Sequence, residues 1–269
     1  MILKKALAFL KRDYKMQVSY RLSFLLQFLG IFFSVATFFF VSKLLGKAVN
    51  PYLTSYGGDY FSYVLIGIAF SGFLGTGLGT FSSTISSAQS HGTLETMLVT
   101  PTSLSAIITF SALWNFLFTS FNVLIYLAFG AFFFGMDLSK ANLPAAFLIL
   151  FLTILMFSSI GIISASFIMV FKRGDPINWL FGSFSSLLGG TYFPITVLPA
   201  WLQKASYFIP LFYALRAMRH AVLQGYTFLM LGKDIIILCI FAICILPISL
   251  FCFRFAVKRA KIEGSLVTY

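Results

Sequence analysis

Acidic side chains are scarce in this chain. Asp and Glu number only seven in 269 residues, and charged residues of both signs make up 10% of it, against about 25% in soluble domains. All seven acids (Asp13, Asp59, Glu95, Asp137, Asp175, Asp234 and Glu263) stand at the ends of apolar runs or between them. The two histidines, His91 and His220, lie outside those runs as well. A proton- or sodium-coupled carrier needs ionisable or strongly polar groups near mid-membrane, and an intramembrane metalloenzyme needs His or carboxylate ligands there. Neither pattern is present. The three cysteines (Cys239, Cys244 and Cys252) share one apolar run and lack paired spacing, which argues against a disulfide frame or a metal site. A phosphate-binding loop of the form G-x-x-x-x-G-K-[ST] is missing too: Gly46–Lys47 and Gly232–Lys233 lack both the upstream glycine and the Ser or Thr. Any uphill work must draw its energy from another subunit. Serines abound, but no His or Asp is placed to activate one as a nucleophile.

What the chain does have is apolar surface. It is 59% hydrophobic with 35 Phe, so it reads as a polytopic membrane protein of the all-α class. Its net charge of +12 is confined to particular places. Lys4, Lys5, Lys11, Arg12, Lys15 and Arg21 crowd the N-terminus, and Arg254, Lys258, Arg259 and Lys261 crowd the C-terminus. Basic clusters flanking apolar spans orient a membrane protein with those ends in the cytoplasm, so nucleic acid is not the expected partner. Ala6–Leu10 is too short for the apolar core of a signal peptide. Leu3, Leu7, Leu10, Tyr14 and Val18 recur at helical spacing opposite the lysines, which predicts an amphipathic interfacial helix over residues 2–20 on an anionic inner leaflet.

A span needs about 20 apolar residues. Runs at about 22–41, 61–85, 104–134, 144–171 and 235–253 qualify, and 177–193 is a shorter candidate of about 25 Å at helical rise. Six spans place both basic termini on one side, together with Lys172 and Arg173. A seventh span within 194–232 would put Arg216 and Arg219 near its middle, at about 5–7 kcal/mol. The prolines at 194, 199 and 210 instead predict a broken, re-entrant region dipping into the outer leaflet between spans five and six. In span two, Gly72, Gly75 and Gly79 include a G-x-x-x-G pair that suits close helix packing or a flexible wall of a pathway. Asn115 and Asn122, seven apart on span three, fall on one face and suit bonds across helices.

From Tyr60 to Met136 the only formal charge is Glu95. A charge at mid-bilayer costs about 2.5–3.5 kcal/mol, so Glu95 belongs outside the hydrocarbon, in a cytoplasmic connection over 88–101. There His91–Gly92–Thr93–Leu94–Glu95–Thr96–Met97–Leu98–Val99–Thr100–Pro101 reads as a short helix, with Gly92 as cap, Glu95 in its first turn and Pro101 at its stop.

This segment resembles the cytoplasmic coupling-helix motif of type-2 ABC exporter permeases. Gly189–Gly190–Thr191–Tyr192–Phe193–Pro194, running on to Pro210–Leu211–Phe212–Tyr213 and Arg219, is similar to that family's second signature. The resemblance covers essentially the whole chain. It implies a transport subunit that is not itself an enzyme and holds no cofactor, with ATP and Mg on a partner. That partner would be a cytoplasmic P-loop ATPase in two copies, bound to two permease copies, the second being this chain or a related permease. The assembly would sit among the lipids of a prokaryotic plasma membrane and export a lipid, drug or glycan. His91, Gly92, Thr93, Leu94, Glu95, Met97 and Pro101 would couple to the ATPase. Where the family often carries charge just before the glycine, this chain has Ala88–Gln89–Ser90–His91, which shifts the expected contact onto Leu94, Glu95 and Met97. Gly189, Gly190, Tyr192, Phe193, Pro194, Pro210, Tyr213 and Arg219 would form the outer gate, its aromatics acting as interfacial anchors or substrate contacts. The competing expectation is an ATP-independent channel or lipid scramblase, which would work without any partner.

Overall fold

The computed structural model describes residues 2–90, 92, 104–171 and 175–262. No β-strand occurs among them. The α-helices, in order, are α1 (Ile2–Ser19), α2 (Arg21–Val49), α3 (Tyr60–Ser90), α4 (Leu104–Phe134), α5 (Leu143–Phe171), α6 (Pro176–Leu188), α7 (Ala200–Ser206), α8 (Pro210–Leu223) and α9 (Gly232–Ile262). Short 3-10 turns occupy Asn50–Tyr56 and Ile195–Val197. Among the described residues, five helices are long and apolar enough to cross a membrane: α2 with the turn that follows it, α3, α4, α5 and α9. The chain is therefore an all-α polytopic membrane protein.

The amphipathic N-terminal segment forms α1, which lies along the start of α4 through Phe9 against Phe110 and Tyr14 against Trp114, at 5.7 and 6.0 Å between ring centroids. The centre of the bundle is α3, packed on α4 and α5, with α5 in turn against α9. Its closest approach is glycine on glycine. A Cβ on Gly77 would sit 2.5 Å from Phe157 Cβ, and a Cβ on Gly161 of α5 would run into the Gly77 carbonyl oxygen. In a bilayer, helix association depends on such close contact because lipid is as apolar as leucine.

Two ends of the bundle can be told apart. Phe253, late in α9, lines the same small cavity as Ile108 near the start of α4. The basic residues of α1 and Arg254, Lys258 and Arg259 of α9 thus share one end, the α1 end. At the far end Asn142 joins the 220s, its N–H donating to Ala221 O at 2.9 Å and its amide to Tyr226 O at 2.9 Å.

The segment expected to run as a helix over 177–193 is shorter in the structure. Helix α6 has 13 residues, about 20 Å at 1.5 Å per residue, against a hydrocarbon core of about 30 Å. Asp175 caps its start by accepting from the Asn178 N–H at 2.9 Å, with Pro176 in the first turn. Gly190 ends it with φ of +77°, a turn that a side chain resists. Helix α6 begins beside Gly79, in the middle of α3, and the bend after it reaches Tyr63, near the far end. It thus carries the chain through only part of the bundle. After it, Pro194, Pro199 and Pro210 each stand at the start of a short helix, and α8 is buried against α3, α5 and α9.

The glycine contact gives a direct contrast. Gly161→Ala should cost about 1–3 kcal/mol through overpacking. Gly75→Ala, with nothing within 4 Å of the added carbon, should change stability by less than about 0.5 kcal/mol. Thermal unfolding of the two variants in detergent checks this.

Candidate functional site

At the far end, α8 turns an arginine into the bundle. Arg219 is 2% exposed, and no carboxylate faces it among the described residues. Its Nε donates to Tyr63 O at 3.1 Å and its Nη2 to Thr191 O at 3.1 Å. The guanidinium carbon lies 3.4 Å from the centre of the Tyr63 ring. The Tyr63 hydroxyl then donates to Gly190 O at 2.9 Å. Two successive carbonyls of the bend after α6 are therefore held by one side chain from α3 and one from α8. Carbonyl dipoles and an aromatic face stabilise the buried cation in place of an acid. Gly67 makes the room, since a Cβ there would strike the Thr191 carbonyl and lie 2.6 Å from Arg219 Nη2.

One turn earlier on α8, Arg216 forms a two-pronged ion pair with Asp234 at the start of α9. Its Nε lies 3.1 and 3.2 Å from the two carboxylate oxygens, and its Nη2 also contacts Oδ1. The guanidinium lies over Phe212 at 4.7 Å and Tyr213 at 5.2 Å. Burial pulls the Arg216 pKa down, and hydrogen bonding and charge from Asp234 outweigh it, leaving the group above its ordinary value. His220, also on α8, is stacked between Tyr56 and Tyr226, with centroids at 5.0 and 4.7 Å.

The residues expected in the outer gate occupy this end. Gly189 closes α6, its N–H donating to Ser185 O at 2.8 Å, and a Cβ on it would press on Leu211. Tyr192 is exposed and stacks on Phe38 of α2, Phe193 is half-buried, and Pro194 is buried. Pro210 opens α8, and the Tyr213 hydroxyl donates to Tyr207 O at 3.0 Å. Gly190 and Arg219 meet directly through Thr191, while Tyr213 belongs to the Arg216 cluster and Tyr192 stands apart against α2. The sequence reading missed Tyr63, Gly67 and the Arg216–Asp234 pair. Two arginines three apart in an apolar helix were a signal that partners had to exist. Asp234 was the acid within reach.

At the α1 end the structure is quieter. Of the residues expected to couple to an ATPase, Gly92 is placed, in a turn just past α3 with φ of +64°. His91, Thr93, Leu94, Glu95, Met97 and Pro101 lie outside the described residues. Among the span-two glycines, a Cβ on Gly72 would meet the Thr119 methyl at 3.5 Å, one on Gly79 would lie 3.7 Å from the Asn178 side chain, and one on Gly75 would face open space. Of the two α4 asparagines, Asn115 donates to Thr80 Oγ1 at 3.3 Å, and Asn122 lines an open cleft beside α2.

With this geometry in place, comparison with known protein families is decisive. A family model described as ABC-2 type transporter matches residues 6–223, from α1 to the end of α8, and the chain belongs to that family. It is a transport permease of the ABC class, whose family implies an ABC ATPase as partner. Comparison with individually curated proteins gives no match.

Arg219→Ala should strip hydrogen bonds from two buried carbonyls, and at about 1–3 kcal/mol each lower stability by about 2–6 kcal/mol. Arg219→Lys should recover less than half of that, because one ammonium cannot reproduce the fork and the ring contact. Thermal unfolding in detergent of both variants measures the difference.

Proposed function

We propose that this chain is the membrane-spanning subunit of an ATP-driven exporter whose ATPase is a separate cytoplasmic P-loop protein. The observation that carries the reading is the family match over 6–223, which takes in both the connection after α3 and the cap at the far end. The clustering of basic side chains at the α1 end supports a cytoplasmic assignment for that end, and with it for both termini. Residues 91–103 join α3 to α4 at the same end. They are therefore a segment that a cytoplasmic partner can reach without entering the bilayer.

In this reading ATP and Mg bind the partner, and closure of two ATPase subunits pushes on residues 91–101 of two permease copies. Leu94 and Met97 supply apolar contact, and Glu95 supplies a charge at the segment's start. The movement passes to α3 and α4, which residues 91–103 join in sequence. The cap held by Arg219 closes the far, external side of the pathway. The plasma membrane of a prokaryote is the setting, and the second permease copy is this chain itself.

Two measurements test the proposal. Capture of the tagged full chain from its native membranes in mild detergent should bring down a P-loop ATPase in stoichiometric amount, and Glu95→Lys should remove it while the permease still inserts. Recovery of the chain alone from well-solubilised membranes would favour the partner-free channel or scramblase. In a cysteine-free background, a cysteine at Ser90 should react with an impermeant maleimide from the cytoplasmic side only, and one at Lys140 from outside only. The reverse labelling would invert the topology and detach residues 91–101 from any ATPase.

A further inference from the structure

Midway along their contact, helices α3 and α4 face each other with polar side chains. On α3, Thr76, Thr80 and Thr84 repeat at four-residue spacing, and on α4 Asn115, Thr119 and Asn122 share a face. Two rungs tie the faces together: the Thr76 and Thr119 hydroxyls at 2.7 Å, and Asn115 Nδ2 donating to Thr80 Oγ1 at 3.3 Å. On either side of these rungs the helices part. Toward the far end, a cleft of about 560 Å³ opens between α2, α3 and α4, lined by Gln27, Ser71, Asn122 and Tyr126. Toward α1, a second cleft of about 530 Å³ is lined by Gln17, Ser83, Ser87 and Ser111.

Three facts bear on what such a face is for. First, the side-chain amides of Gln27 and Asn122 and the Tyr126 hydroxyl make no hydrogen bond within the described chain. At membrane depth an unpaired amide or hydroxyl is costly, so these groups call for a polar partner. Second, no Lys, Arg, Asp or Glu lines the cleft beside α2. Among the described residues lining the other cleft, the cation is Arg12, which is bonded to Asp13 at 2.7 Å. Among the described lining residues a phosphate would therefore find no unpaired counter-charge. Third, the helices that wall the α2 cleft carry exposed apolar side chains, Leu26 and Leu29 on α2 and Phe121 and Leu124 on α4.

We propose that this face is a binding groove for a membrane amphipath whose head group is uncharged and rich in hydroxyl or amide groups. The head group sits among Gln27, Asn122 and Tyr126, and its chains lie in the lipid along α2 and α4. Each cleft falls within the range of about 300–1,000 Å³ typical of small-ligand sites. From Thr76 to Thr84 is eight residues, about 12 Å along the helix, so the clefts form two stations one short step apart. A head group passing between them exchanges its own hydroxyls for the Thr76–Thr119 and Asn115–Thr80 rungs, trading one hydrogen bond for another. Binding requires only that α2, α3 and α4 cross the membrane. The direction of movement rests on the exporter reading above.

The test uses the full chain in lipid nanodiscs, without ATP or partner. Two photoreactive lipids with the same diazirine-bearing acyl chain are compared, one a monohexosyldiacylglycerol and one a phosphatidylglycerol, and adducts are mapped by peptide mass spectrometry. The glycolipid should label the α4 residues around Asn122 and the facing part of α2 about fivefold more than the phospholipid, the worth of one hydrogen bond. Asn122→Leu should bring the two lipids to parity, and Gln27→Leu should weaken the preference from the opposite wall, while Asn122→Gln should keep it. Equal labelling in the unaltered chain, a preference for phosphatidylglycerol, or a preference indifferent to both leucine variants would overturn the groove. None of these readouts involves ATPase capture, so this proposal and the exporter reading fail separately.

Discussion

A cation buried without an acid is the constraint around which the far end of this protein is arranged. Arg219 is pinned to Tyr63 O and Thr191 O at 3.1 Å each and lies flat against the Tyr63 ring. Breaking those contacts would leave a charge and two carbonyls in a medium that cannot hydrate them. The local structure follows from that requirement. Residue 67 must be glycine for the guanidinium and the bend to fit. The turn at Gly190 must present its carbonyl to Tyr63, and α8 must lie deep enough to deliver the arginine. The neighbouring Arg216–Asp234 pair ties the same helix to α9. Three segments far apart in sequence thus become one unit, held by polar contacts.

The two ends of the bundle differ in physical character, and the functional proposal uses that difference. The far end has short helices, prolines at their starts and a network of polar contacts around Arg219, which suits a cap that holds its shape. The α1 end has basic side chains and the connection between α3 and α4. Between them the Gly77–Gly161 contact presses α3 onto α5, while the other face of α3 meets α4 through hydroxyls and amides. Helix α3 is therefore in close backbone contact on one side and hydrogen-bonded through side chains on the other.

Much of this fold was legible from the chain alone. Runs of twenty or more apolar residues leave no alternative to membrane-length helices, and α2, α3, α4, α5 and α9 follow from them. The helix expected to reach residue 193 stops at Leu188, because a glycine pair can continue a helix or end it, and hydropathy does not distinguish the two. Gly75-x-x-x-Gly79 is a spacing signal that carries no information about which neighbour lies opposite, and the tight contact falls on Gly77 instead. Arg219 was visible as a misfit in an apolar segment, but its partners were not, since backbone carbonyls have no signature in sequence. The coupling segment was read from pattern and resemblance, and of its residues the structure places Gly92.

The central claim is that a separate ATPase drives this permease by contacting residues 91–101. A photo-crosslinking amino acid placed at position 95 in the full chain, in living cells, tests it most directly, with position 201 at the far end as the comparison. The account predicts a covalent adduct with a P-loop ATPase from position 95 and none from position 201. No adduct at 95, or an ATPase adduct from 201, would contradict it.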